Sequence, residues 1–232
     1  MKNNNMSYIF SLNCKKLRRK LPRSGLTAAL AVAVSIGVST DGHAAYPHTI
    51  TGSAGAVATD HELASQAGAE VLSKGGNAVD AAIAAALALG VVQPAGSGLG
   101  GGGFLLIRKN DGQVAAIDFR EVAPKLATRD MFLESGTGKV VPDRSRWGGL
   151  ASGVPGEAAG FAKALSEFGT LKPAQVIAPA LRLADRGFPV GRHLARSAAM
   201  VVPKLANDHP LRALLAPQGN ILTPGVTIRR PE

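Results

Sequence analysis

Four glycines in a row, Gly100 to Gly103, run straight into two apolar, β-prone segments, Phe104–Arg108 and Val114–Phe119, separated by Asn110, Asp111 and Gly112. An Asp-Gly step between two such runs predicts a β-hairpin, because it supplies the positive φ angles that turns matching strand twist require. A glycine run at its entry predicts a backbone that passes very close to another segment of chain, where side chains would collide. The second strand ends at Asp118, Phe119, Arg120 and Glu121. Charges that appear as a buried strand runs out stand where a substrate-binding group would be placed.

Gly96, Ser97, Gly98, Leu99, Gly100 and Gly101 formally satisfy G-x-G-x-x-G. That pattern holds a dinucleotide only when a strand precedes it and a helix follows, so that the helix N-terminus meets the pyrophosphate. Here an alanine-rich helix and Pro94 come first and a strand follows. The glycines are read as packing, and nucleotide binding is set aside.

The first 44 residues are of another kind. Lys15, Lys16, Arg18, Arg19, Lys20 and Arg23 precede an apolar run from Leu26 to Val38, too short for the about 20 residues a membrane span takes. Gly42 and Ala44 then supply small residues at the −3 and −1 positions of a cleavage site. The segment 1–44 reads as a secretory signal peptide, which predicts a periplasmic or secreted protein with no stable membrane anchor after leader removal. Arg18-Arg19 resembles a twin-arginine signal, but its flanks fit poorly and the general secretory route is preferred. Without the leader, 19 basic residues stand against 15 acidic ones, so the formal charge falls from +10 to +4. The basic balance therefore does not argue for a nucleic-acid partner. Cys14 leaves with the leader, which removes disulfide and cysteine–metal chemistry.

The mature part is expected to open with a short strand over Gly55–Ala58. Thr59 and Glu62 have capping-box spacing for a helix running to about Lys74 and stopped by Gly75-Gly76. Asn77 is expected to start a second helix, rich in alanine and apolar almost all round to Val92, as a buried helix is. Asp80 near its start is read as structural, where the helix dipole favours a negative charge. Residues 125–150 show no period and read as surface loop. Further helices are expected over Glu157–Phe168 and Pro173–Arg186, the latter carrying Pro179 inside it and closed by Gly187.

Reactive constellations are sparse. His48, His61, His193 and His209 show no metal-ligand spacing, no G-x-S-x-G elbow occurs, and no cofactor motif survives. Arg120 remains, a permanently charged fork suited to bidentate pairing with a carboxylate. From position alone it is either a ligand-binding group or half of a structural ion pair with Asp118, Glu121 or a distant acid.

Five segments in order, Gly55–His61 (GAVATDH), Gly75–Ala82 (GGNAVDAA), Leu99–Phe104 (LGGGGF), Asp118–Glu121 (DFRE) with Ala123-Pro124, and Ser152–Gly156 (SGVPG), resemble the γ-glutamyltransferase family, the glutathione hydrolase proenzymes. The resemblance covers about Thr51 to Glu232. It implies an α/β fold, the αββα sandwich of N-terminal nucleophile hydrolases. It also implies a precursor that cleaves itself, so that a new N-terminal threonine attacks the γ-glutamyl amide of glutathione and passes the acyl group to water or an amino acid. The arginine of the Asp-Phe-Arg-Glu segment binds the substrate α-carboxylate in that scheme, which points to Arg120; the glycine run carries over as architecture.

Only the first part of the family's large subunit is represented, so residues 45–232 read as an incomplete sandwich with no catalytic residue, metal or cofactor of its own. The rest of the large subunit and the small subunit become the expected partners, with a γ-glutamyl compound as small-molecule substrate. A cephalosporin acylase-like member of the family and a non-catalytic exported remnant are the alternatives.

Overall fold

The computed structural model describes residues 51–230; the expected leader and its cleavage after Ala44 lie outside them. Helix α1 spans Glu62–Ser73, with Ala64, Ala67, Gly68 and Val71 buried. Its N-cap is His61, whose Nδ1 accepts from the Leu63 N–H at 3.2 Å. Thr59 therefore does not cap the helix as its spacing with Glu62 suggested. Its hydroxyl donates to the His61 carbonyl at 2.7 Å and lies 2.8 Å from Ser65 Oγ, tying the entry turn to the first helical turn. Glu62 instead accepts from Gln66 along the exposed face. The expected strand over Gly55–Ala58 does not form, for these residues have no ladder partner among the described residues.

Helix α2, Ala78–Val92, begins as expected. Asn77 Oδ1 accepts from the Val79 and Asp80 N–H groups, and the Asp80 carboxylate accepts from the Asn77 N–H, closing a capping box. It is not covered all round: Ala82 is exposed, and Ala86 and Leu89 border an open groove. At its other end Arg230 donates from Nη1 to the Gly90 and Val91 carbonyls at 3.2 and 3.0 Å. Those carbonyls belong to the last helical turn, whose acceptors no helical N–H can reach.

Strands β1, Phe104–Arg108, and β2, Val114–Asp118, form the expected antiparallel hairpin, with Phe104 opposite Asp118 and Arg108 opposite Val114. Lys109 donates to the Gln113 carbonyl and Gly112 to that of Lys109. Gly112 sits at φ 86° and alone supplies positive φ; Asp111 accepts from the Gln113 N–H at 2.9 Å. The result is a three-residue loop closed by a left-handed glycine. Only one face of the hairpin is buried, contrary to the expectation of buried strands. Ile107 and Ile117 pack with Val71, Val79, Ile83, Ala164 and Val176, whereas Phe104, Leu106 and Val114 on the other face are 70%, 74% and 60% exposed.

Helices α3, Glu157–Phe168, and α4, Pro173–Arg186, have the expected bounds, and α4 continues through Pro179. Ala64, Ala67, Ala88 and Ala180 meet where α1, α2 and α4 pack together. Beyond Gly187 come elements that the composition hid. These are β3 at Phe188–Pro189, α5 at Arg192–Val201, α6 at Pro210–Leu215 and β4 at Thr227–Ile228, with β4 antiparallel to β3. They enclose their own cluster around Phe188, Leu194, Val202, Leu215 and Ile228. Burying a side chain the size of Phe188 or Ile83 contributes roughly 1.5–3 kcal/mol.

Candidate functional site: the exit of strand β2

The segment Phe119–Arg120–Glu121 is held from two sides by glycine. A Cβ built on Gly102 would lie 2.3 Å from the Phe119 carbonyl oxygen and 2.8 Å from the Glu121 nitrogen. One built on Gly156 would lie 2.2 Å from the same carbonyl oxygen. Side chains are excluded at both positions, so Gly102 of the glycine run and Gly156 pack against this segment. Phe119 and Gly103 exchange backbone hydrogen bonds of 3.0 and 3.4 Å, and Val122 and Val154 do so at 3.2 and 2.8 Å. The Phe119 ring stands edge-on to Phe161 at 5.7 Å between centroids. Asp118 Oδ1 accepts from the Arg120 N–H at 3.0 Å.

Arg120 thus projects from backbone fixed before and after it. Its side chain is 61% exposed, and its Nε lies 3.4 Å from Glu121 Oε2. That selects the ion-pair partner, since Asp118 serves the Arg120 backbone instead. Among the described residues no hydrogen bond engages Nη1 or Nη2. A solvent-exposed pair of this kind is worth about 0–1 kcal/mol, too little to make stability the main role of the side chain. What it leaves outward is a two-donor edge matched to a carboxylate.

Behind Glu121 is a second carboxylate that the sequence did not mark. Glu157, the first residue of α3, is 6% exposed, and its Oε1 is buried with no hydrogen-bond partner among the described residues. Burial pushes its carboxyl above the ordinary glutamate range; the Gly98 N–H opposes this, and the charge of Glu121 adds to it. Glu121 and Glu157 both border a cavity of ≈ 330 Å³ with Gly98, Gly100, Gly101 and Gly102. A glutamate in a first helical turn normally complements the dipole, so nothing in the sequence set Glu157 apart.

Other candidates have structural work. His61 and His209 cap α1 and α6, and the Thr59 hydroxyl is committed to the α1 entry turn. Asp80 is fully buried and accepts from the Thr170 N–H and hydroxyl and from the Leu171 N–H, which agrees with its structural reading.

The γ-glutamyltranspeptidase family model matches residues 64–232. The chain belongs to the γ-glutamyltranspeptidase family. It is 41% identical to the glutathione hydrolase proenzyme of Escherichia coli over 206 residues, 88% of this chain and 35% of that protein. It is 44% identical to the acylase ACY 1 proenzyme of Pseudomonas sp. strain V22 over 183 residues, 77% of this chain and 33% of that protein. Among solved structures, γ-glutamyltranspeptidase of Helicobacter pylori superposes with a TM-score of 0.74 at 37% identity, covering 78% of this chain and 52% of the other. The chain therefore spans about a third of the length of these curated relatives. Its fold is the α/β N-terminal nucleophile hydrolase fold of γ-glutamyltranspeptidases, of which the described residues supply β1–β2 and the helices on one face of that hairpin.

Proposed function

We propose that this chain contributes the carboxylate-binding part of an enzyme that transfers or hydrolyses the γ-glutamyl group of glutathione and related compounds. Arg120 binds the α-carboxylate of the glutamyl group. The nucleophile, an N-terminal threonine released by self-cleavage, belongs to the part of the relatives that the chain does not span. The rest of the large subunit and the small subunit are the partners, and the protein works outside the cytoplasm after losing residues 1–44. The observation that supports this reading is the arginine itself: backbone pinned by Gly102 and Gly156, Nε turned to Glu121, and its remaining edge outward.

The test is a chimeric proenzyme in which residues 64–230 replace the matching segment of the Escherichia coli relative, assayed for glutamate release from glutathione. Turnover whose KM rises about tenfold or more in Arg120→Gln, with self-cleavage intact, supports the reading; an unchanged KM overturns it. An acylase among the relatives and a cephalosporin acylase among the similar structures favour a second substrate class. An acyl-cephalosporin offered to the same chimera decides between them.

A further inference from the structure

We propose that Glu157 is a positioning residue for Arg120, acting through Gly101 and Glu121; this rests on the carboxylate-binding reading of Arg120. The link is continuous. The Gly101 carbonyl accepts from the Gly156 and Glu157 N–H groups at 3.0 and 3.1 Å, clamping the glycine loop to the start of α3. A Cβ built on Gly101 would lie 3.5 Å from Glu121 Oε1 and 3.9 Å from Glu157 Oε2, so the two carboxyl groups flank one glycine. The other oxygen of Glu121 faces Arg120 Nε at 3.4 Å. A shift of Glu121 therefore takes away the charge partner that the guanidinium has among the described residues.

Two carboxylates against the same glycine are compatible while one of them holds a proton. Glu157 is the one that takes it first as pH falls, because it is the more buried and its Oε1 has no hydrogen-bond partner among the described residues. While Glu157 carries that proton, no second charge stands against Glu121, which is free to orient Arg120. Loss of that proton places a second charge beside Gly101, pushes Glu121 from its position and lowers the local potential for an incoming carboxylate.

Among the described residues, the cavities that Glu157 borders hold one charge besides Glu121. Arg230 borders the adjoining cavity of ≈ 470 Å³ together with Glu157, but its Nη1 is committed to the Gly90 and Val91 carbonyls. From α2 and α4 that cavity receives only apolar residues, among them Leu87, Val91, Ile177 and Leu181.

The experiment is a titration of the full chain with ¹³C-carboxyl glutamate and ¹⁵N-arginine labels, read by NMR. The Glu157 carboxyl should titrate above 4.5, and the Arg120 Nε resonance should follow the same step. In Glu157→Gln that step should vanish from Arg120 while the pairing with Glu121 persists. In the chimeric proenzyme, KM for glutathione should rise about three- to tenfold across the same pH interval, as expected for one added charge at partly screened range, and stay flat in Glu157→Gln. An Arg120 resonance that ignores the Glu157 titration overturns the proposal, as does a Glu157→Gln enzyme with the wild-type pH profile. Should Glu157→Gln not fold, the wild-type titration decides alone. The NMR step needs no substrate, so its failure is distinct from failure of the carboxylate reading, which the KM of Arg120→Gln decides.

Discussion

The carboxylate of Asp80 accepts a 2.7 Å hydrogen bond from the hydroxyl of Thr170, 90 residues further along the chain. The same carboxylate takes the N–H groups of Asn77, Thr170 and Leu171, so one buried acid fixes the start of α2 to the turn between α3 and α4. Burial alone would raise its pKa. The bonds from the Thr170 hydroxyl and the three N–H groups more than offset that and leave the carboxyl below the ordinary aspartate range.

Asp80→Ala should therefore cost about 3 kcal/mol or more, because it leaves several buried donors without a partner. A group whose folded pKa is depressed stabilises above its unfolded pKa and loses that contribution as pH falls through the folded value. Urea melts of wild type should show stability declining below the unfolded aspartate value near pH 3.8. Asp80→Asn should lose much of that acid dependence; an unaltered acid limb would show that other groups control it.

Gly102→Ala should displace Phe119–Glu121, because the new methyl meets backbone atoms that cannot rotate away. A cost of roughly 1–3 kcal/mol is expected. Gly100→Ala is the control, with open space around its Cβ position. Equal melting midpoints for the two variants would mean that the segment yields.

Arg120→Lys should not restore what Arg120→Gln loses, since a lysine offers a point charge where the site offers a two-donor edge. Both variants should melt within about 1 kcal/mol of wild type, because the pair with Glu121 is exposed. A large stability loss would revive the structural reading of this arginine.

The exposed face of the hairpin predicts poor behaviour of the chain on its own. Phe104→Thr with Leu106→Thr should increase the soluble fraction after expression, because these side chains are 70% and 74% exposed beside Val114. Light scattering against time is the measurement, and an unchanged aggregation rate would place the sticky surface elsewhere.

The leader prediction is separate. Mass spectrometry of exported material should find Ala45 as the first residue, following the small-residue site at Gly42 and Ala44. An intact Met1 on exported protein would refute it.

Local signals made much of this fold readable in advance. Asp-Gly at the hairpin, Asn77 with Asp80 at the α2 cap, and Pro173 and Gly187 around α4 each act within a few residues, and the elements follow them. Some of what failed depended on distant chain, and some was a local shift. Gly55–Ala58 has strand composition but no ladder partner among the described residues, and His61 displaced Thr59 at the α1 cap by a shift of two residues. The two-residue strands β3 and β4 are far too short to show a period, and they exist because Phe188 and Ile228 meet in one cluster. Helix α5 keeps its buried Leu194, Ala195 and Ala198 at helical spacing, a pattern of three small or apolar positions among polar neighbours that is weak by itself. At the candidate site, the motif singled out Arg120 as a candidate, whereas nothing in the sequence singled out Glu157. Its distinction is an oxygen without a partner among the described residues, which only the folded arrangement creates.

Arg230 closes the last turn of α2 from 140 residues downstream, while its own N–H donates to the Ala184 carbonyl at 2.8 Å. During synthesis the Gly90 and Val91 carbonyls therefore stay without this donor until residue 230 has left the ribosome. Helix α2 can form early from its own cap at Asn77, but its far end is secured only once the whole stretch has been made. A stalled nascent chain lacking that residue should fray at Val91 first, and amide exchange on ribosome-bound intermediates of graded length would time the closure.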